Sequence, residues 1–296
     1  MSDDLKISVV TPNYNGAARL ARALNSVLAQ DYSNFEYIVV DGASTDESRG
    51  ILEGFRGRLH QLIIEPDHGQ YDAINKGFSW STGDILCWLN SDDTYFPWTL
   101  RVVARVFRDF PEVEWITGIR SGLRDDAVQD LSNLTPFPRD LLAGGAFHSG
   151  GLGCVMQECC FWRRSLFEKV GGLDVRWSLA ADFDLWTRFA AHTDLVATTA
   201  LLGGFHYTGE NRSARNADVY AEEVRQIRAQ LPEDKVRGGD LLIRRKSRVE
   251  KFFFKRPWST RLVHSWFYQT NHFAPVLIFD AGADRYRKRQ QRYSIT

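Results

Sequence analysis

Asp92 and Asp93 stand side by side behind Asn90-Ser91, at the end of the apolar run Ile85–Leu89. Two adjacent carboxylates at a buried strand end repel each other and lose hydration unless a cation is present. Oxygen ligands of this kind suit Mg2+ or Mn2+, which in turn bridge phosphate oxygens. The alternative is a Ser-Asp-Asp turn that caps the following helix. A second acidic pair, Asp182 and Asp184, is two residues apart and cannot share a helix face. One of the two faces a site, and the other does something else. Asp41 closes another apolar run, where a carboxylate can accept hydrogen bonds from a base N–H or a ribose hydroxyl. Asp46 is either a helix cap or a ligand, with Ser44 an equally good cap. Thr11-Pro12-Asn13-Tyr14-Asn15 is either a ligand loop or a strand-to-helix turn, its asparagines chosen for geometry. Asp72 and Lys76, at i,i+4, either form a surface ion pair worth roughly 0.3–0.5 kcal/mol or meet a ligand. Arg212 lies on a Gly/Asn/Ser loop, where a guanidinium can clamp a leaving pyrophosphate or simply be solvated.

The elements that must position these residues alternate. Ile7–Thr11, Phe35–Val40, Leu59–Ile64 and Ile85–Leu89 read as buried strands. Between them, helices are expected around Leu20–Leu28 and over Thr45–Phe55 and Tyr71–Trp80, with another over Pro97–Phe110. This alternation predicts an α/β fold with a mostly parallel central sheet flanked by helices. Ligands bind such sheets at the carboxyl ends of the strands, where Thr11–Asn15, Asp41–Asp46, Glu65–Gln70 and Asn90–Asp93 all fall. Residues 121–158 read as an irregular, Gly-rich loop region facing substrate. Cys159–Arg163 reads as a strand, Ser165–Val170 as a helix ended by Gly171-Gly172, Asp182–Ala191 as a helix, Leu195–Tyr207 as extended and Ala217–Gln230 as a helix. Pro232–Asp240 reads as a polar linker.

The 296 residues carry no net charge, but residues 235–296 hold 15 Lys/Arg against 4 Asp/Glu while residues 1–234 hold 22 against 33. An acidic body excludes a broad nucleic-acid binder. The four cysteines show neither a disulfide framework nor zinc-ligand spacing, which fits a reducing compartment. No run reaches the roughly 18 apolar residues of a membrane span, and the first residues lack the basic start of a signal peptide. The expectation is a cytoplasmic protein. The tail interleaves Arg244-Arg245-Lys246, Arg248, Lys251 and Lys255-Arg256 with Phe252–Phe254, Trp258, Trp266, Phe267, Tyr268 and Phe273. That composition suits an anionic membrane surface on the inner face of the cell membrane, or else a helical appendage packed on the core or an oligomer interface.

Val9–Asn15, Ala23–Gln30, Val39–Asp46, Gly83-Asp84-Ile85, Asn90–Asp93, Phe161–Arg164, Gly171–Asp174 and Ala181–Trp186 together resemble the family 2 glycosyltransferases, in order and at family-like spacing over residues 6–208. That resemblance implies the GT-A fold over residues 1–230, and the basic, aromatic residues 231–296 are expected to form a helical appendage to it. It implies an inverting enzyme that uses a nucleoside-diphosphate sugar, a UDP-sugar first, and a saccharide or lipid-linked saccharide acceptor of surface-polysaccharide assembly. Thr11, Pro12, Tyr14, Asn15 and Asp41 would hold the nucleotide. Asp72 would meet the sugar or ribose and Lys76 a phosphate. Asn90, Ser91 and Asp92 would bind the donor, with Arg212 on its pyrophosphate. Asp92 and Asp93, with a late histidine, His206, would hold Mn2+ or Mg2+. Asp182 would be the general base. Apart from the resemblance, Gln157 and Glu158 are expected near the acceptor. Asn90 replaces an aspartate common in the family, and Ala181 an acid. Those departures keep open a non-catalytic sugar-nucleotide-binding protein. A nucleotidyltransferase is the other rival, though Asn13–Gly16 is not its Gly-rich activating loop.

Overall fold

The computed structural model describes residues 5–124, 127–209, 211–254 and 269–295. Strands β1 (Ile7–Asn13), β2 (Phe35–Asp41), β3 (Gln61–Ile64) and β4 (Ile85–Trp88) are linked by helices α1 (Ala17–Leu28), α2 (Ser48–Phe55) and α3 (Gln70–Ser79). They pair in parallel in the order β3-β2-β1-β4. Strands β1 and β4 are buried throughout, because helices cover both faces. Strand β5 (Thr94–Tyr95) and helix α4 (Thr99–Asp109) complete this half.

The other half is mixed rather than parallel. It holds β6 (Trp115–Arg124), β7 (Ala127–Leu131), α5 (Arg139–Ala143), β8 (Cys160–Arg163), α6 (Arg164–Lys169), α7 (Ala181–His192) and β9 (Leu195–His206). Strand β8 runs antiparallel to both β4 and β6, so it turns the sheet's direction at its middle. Strand β6 pairs in parallel with β9 through two register shifts. The region expected to be irregular from residue 121 thus begins inside a ten-residue strand and contains β7 and α5. Gly171 and Gly172 take positive φ of 79° and 78° and end α6, the Gly172 N–H returning to the Phe167 carbonyl at 3.1 Å.

After α8 (Arg212–Arg215) and α9 (Ala217–Arg228) comes α10 (Glu233–Phe254), where a linker was expected. Its Gly239 lies against Ala146, and Leu242 and Ile243 join the core. Strands β10 (Gln269–Asp280) and β11 (Arg285–Ser294) then extend the central sheet, with β10 parallel to β9 and β11 at the edge. The tail is therefore helix followed by sheet, a correction to the expected helical appendage. Lys255, Arg256, Trp258, Trp266, Phe267 and Tyr268 lie outside the described residues. Among the described residues no helix is long and apolar enough to cross a membrane. A cluster of Trp88, Trp115, Trp162, Trp186 and Phe189 fills the core beneath the carboxyl ends of the strands, with Trp88 and Trp186 stacked at 6.0 Å.

Candidate active site

An open cleft of about 1240 Å3 lies at the carboxyl ends of β1 and β4, between the rim loops and the segments flanking α7. Its lining includes Pro12, Tyr14, Asn15, Asn90, Ser91, Asp92, Asp93, Gln157, Glu158, Asp182 and Arg212. Residues separated by up to 200 positions therefore share one cavity.

The loops that follow β1 and β2 are locked by hydrogen bonds that the pairing of the two strands sets up. Asn13 sits opposite Asp41, and its Nδ2 donates to Asp41 Oδ2 at 2.7 Å. Asp41 also accepts from the Ser44 N–H at 2.8 Å and the Ser44 hydroxyl at 2.7 Å. Asn15 Oδ1 in turn accepts the Thr45 N–H at 2.8 Å. Asn15 and Ala43 hold positive φ of 51° and 60°, strain that such cross-bracing maintains. Gly16 is required here, since a Cβ would strike Asn13 Oδ1 and come within 2.9 Å of Ser91 Oγ. Asp46 caps α1, accepting the Ala17 N–H at 3.0 Å.

Four residues expected to bind the donor do not line the cleft. Thr11 is buried with its hydroxyl 2.9 Å from that of Tyr37. Asp41 is fully buried and spends its oxygens on Asn13 and Ser44. Asp72 accepts the His68 N–H at 3.0 Å, and Lys76 binds Asp72 at 3.4 Å, Glu65 at 3.2 Å and the Pro66 carbonyl at 3.0 Å. This pair braces the Glu65–Gly69 loop. That loop presents Gln70, which the sequence had not marked as a site residue. Gln70 Nε2 donates to Asn90 Oδ1 at 2.7 Å, and Arg212 donates to Gln70 Oε1 at 3.1 Å. A polar bridge thus crosses the cleft from the late loop to the acidic motif.

Asp93 is almost fully buried. Its Oδ1 accepts the His206 N–H at 2.9 Å and its Oδ2 the Asn90 amide at 3.4 Å. Burial, reinforced by the charges of Asp92 and Glu158, pushes the Asp93 carboxyl well up. Burial also raises Asp92, against Arg19 and Arg22, and raises Glu158 to about 7. The three acids are a repulsive group, and a divalent cation is the usual relief for such a group. Among the described residues no three His, Cys, Asp or Glu side chains already form a metal cluster. His206 is buried with its Nε2 3.0 Å from the Thr94 hydroxyl and does not line the cleft, so what it offers Asp93 is its backbone.

Asp182 is half-buried in the first turn of α7. Its Oδ1 accepts the Phe183 N–H at 2.8 Å and lies 3.5 Å from the Tyr71 hydroxyl. Burial raises its carboxyl to about 6. Asp184 points elsewhere and pairs with Arg188 at 2.7 Å. Gln157 Nε2 donates to the Trp88 carbonyl, which leaves Gln157 Oε1 buried with no protein partner; Asn13 Oδ1 is in the same condition. Both residues line the cleft. Each holds a buried acceptor without a protein partner, close behind the cleft wall.

The comparisons with known proteins agree with this geometry. The family model described as glycosyl transferase family 2 matches residues 8–171, more than half of the chain. An uncharacterized glycosyltransferase of Nostoc sp. is 34% identical over 185 residues, which cover 60% of this chain and 57% of that protein. A PGL/p-HBAD biosynthesis glycosyltransferase of Mycobacterium bovis is 31% identical, covering 64% of this chain and 71% of that one. The crystal structure of S. aureus TarS 1-349 in complex with UDP-GlcNAc superposes with a TM-score of 0.63 at 19% identity, covering 88% of this chain and 77% of that one. The buried parallel half-sheet, its acidic rim and the matched segment lead to one conclusion: the chain belongs to glycosyl transferase family 2.

Proposed function

We propose that the protein transfers a sugar, with inversion, from a nucleoside-diphosphate donor to an acceptor hydroxyl. The observation that carries this reading is the placement of Asp182, a carboxyl raised to about 6, in the same cleft as the Asn90–Asp93 motif. A base with a pKa near working pH balances its ionised fraction against its proton affinity. Asp182 would take the proton of the acceptor hydroxyl as that oxygen attacks the anomeric carbon. Displacement from the face opposite the diphosphate inverts the configuration.

The donor's nucleoside would lie against Pro12, Tyr14 and Asn15, with Tyr14 exposed for stacking. A UDP-sugar is the first donor to try, since the TarS neighbour was solved with UDP-GlcNAc. A divalent metal, Mn2+ or Mg2+, fits the oxygen-only donor set of Asp92 and Asp93 and would offset their mutual repulsion. When bound it would stabilise charge on the leaving diphosphate. Arg212, held by Gln70, would add a cation from the opposite wall. The acceptor is a saccharide or lipid-linked saccharide whose hydroxyl groups meet Gln157 Oε1 and Glu158. Contact of the basic tail with anionic lipid would bring such an acceptor to the cleft.

Calorimetry with UDP, GDP and dTDP, with and without Mn2+, on the wild type and Asp93→Ala, tests the donor site. One nucleotide should bind in a metal-dependent manner and lose affinity in the variant. Absence of binding for all three would reject the reading. Asp182→Asn should then lower transfer by about 10²–10⁴-fold while nucleotide affinity stays unchanged. A variant that loses affinity but still transfers would overturn the base assignment.

A further inference from the structure

Helix α7 begins without a side-chain cap of its own, its N-cap position being Ala180. The three backbone N–H groups that lead into it all point to one carboxylate on another helix, Glu223 of α9. Glu223 Oε1 accepts the Ser178 N–H at 2.8 Å and the Ser178 hydroxyl at 2.7 Å. Its Oε2 accepts the Leu179 N–H at 2.9 Å and the Ala180 N–H at 2.8 Å. A carboxylate has about four lone-pair sites, and this one fills them all on three consecutive residues. The same stretch is gripped from its other side, where the Leu179 carbonyl accepts the Tyr71 hydroxyl at 3.0 Å. Asp182 follows two residues after this clamp.

The groups that bear on Asp182 come from several elements: Tyr71 on α3, Cys154 in the loop before β8, Cys160 on β8, and Tyr220 and Glu223 on α9, with Arg212 acting on Tyr71. Burial raises both phenols and both thiols, so they are neutral near pH 7. Glu223 differs. Burial works against its charge, but the hydrogen bonds from Ser178, Leu179 and Ala180 outweigh it and hold the carboxyl below its ordinary value. It is therefore a fixed negative charge beside the base, where it disfavours the ionised form of Asp182.

We propose that Glu223 is the positioning residue of the base: its carboxylate seats the backbone that carries Asp182 and bears on Asp182 as a permanent charge. This deepens the proposed function and rests on Asp182 being the base. A plain structural cap would seat the helix without tuning the acid. Glutamine cannot substitute, because its Nε2 would face N–H donors.

The test is a titration of the full chain with ¹³C-carboxyl-labelled aspartate, followed by NMR, the Asp182 signal being assigned by its loss in Asp182→Asn. Amide exchange of Ser178, Leu179 and Ala180 is read in parallel. In Glu223→Gln the Asp182 midpoint should move to lower pH, and the three amides should exchange at least tenfold faster. Glu223→Asp keeps the charge with a shorter reach, so exchange should rise while the midpoint stays closer to wild type. Ser178→Ala should leave the midpoint unchanged. A midpoint unmoved in Glu223→Gln, or exchange unaltered in both Glu223 variants, would overturn the proposal. A wild-type midpoint in the ordinary carboxylate range would remove the support for Asp182 as base, a separate failure visible before any Glu223 variant is made.

Discussion

The two ends of the parallel half-sheet each bury carboxyl groups, and they treat them in opposite ways. At the amino ends, Glu36 is almost fully buried and fully satisfied. It accepts from the Ser8 hydroxyl at 2.6 Å, the Thr82 N–H, the Thr82 hydroxyl at 3.0 Å and the Gly83 N–H at 3.1 Å, and it pairs with Lys6 at 2.6 Å. Burial alone would raise its carboxyl, but Lys6, Ser8 and Thr82 more than offset that and bring it down to about 2. At the carboxyl ends, Asp93 and Glu158 are buried beside the half-buried Asp92; burial raises all three, and the charge of Asp92 adds to the rise of the other two. One end invests its polar groups in stability. The other keeps carboxyl groups whose ionisation burial opposes, where a ligand can relieve the cost.

The comparison breaks most visibly through Glu36. Glu36→Ala should cost about 3–5 kcal/mol, since it strands Lys6 and several buried donors, and the loss would appear in the denaturation midpoint. The opposite sign is expected at the other end. Asp93→Asn should stabilise the ligand-free protein by about 0.5–2 kcal/mol while removing the Mn2+-dependent rise in melting temperature that the wild type should show. An Asp93→Asn protein less stable than wild type would collapse the contrast. A pH series sharpens it further. The folded pKa of Glu36 is depressed, so its stabilisation is complete above about 4.5 and is lost as pH falls towards about 2. The stability gap between wild type and Glu36→Gln should close over that window. Smallest of all, Gln70→Ala should change stability by under about 0.5 kcal/mol, and its effect should appear in nucleotide affinity, through the freed Arg212.

Much of this was legible in the residues. The parallel half announced itself because each strand is a short apolar run with a polar cluster at its end, and Asp92, Asp93 and Asp182 were found as carboxylates at such ends or at a helix start. Roles that depend on pairing were not legible. For Asp41 the sequence offered a ligand role, and nothing in it says that Asn13 will lie opposite and bond to it. Asp72 and Lys76 looked functional through the family resemblance, while their spacing alone suggested the ion pair that the structure shows, bracing the loop before Gln70. Strand β6 escaped because Gly118 and Gly122 interrupt its pattern and its partners β8 and β9 are distant in sequence. Strand β11 escaped because five of its ten residues are Arg or Lys. It sits at a sheet edge with its basic side chains exposed and only Tyr286 and Tyr293 buried.

That edge matters to anyone who would shorten the chain. Composition invites a cut near residue 230, where acidic sequence gives way to basic. Val276 and Leu277, however, pair with Ala197 and Thr198, and they cover the flank of the strand that ends at His206. A protein trimmed at the charge boundary would bare the flank of β9 around Ala197 and Thr198, a template for intermolecular pairing, while Gly203 and Gly204 stayed paired with β5. Insolubility in such a fragment would reflect a missing sheet margin and carry no information about the cleft.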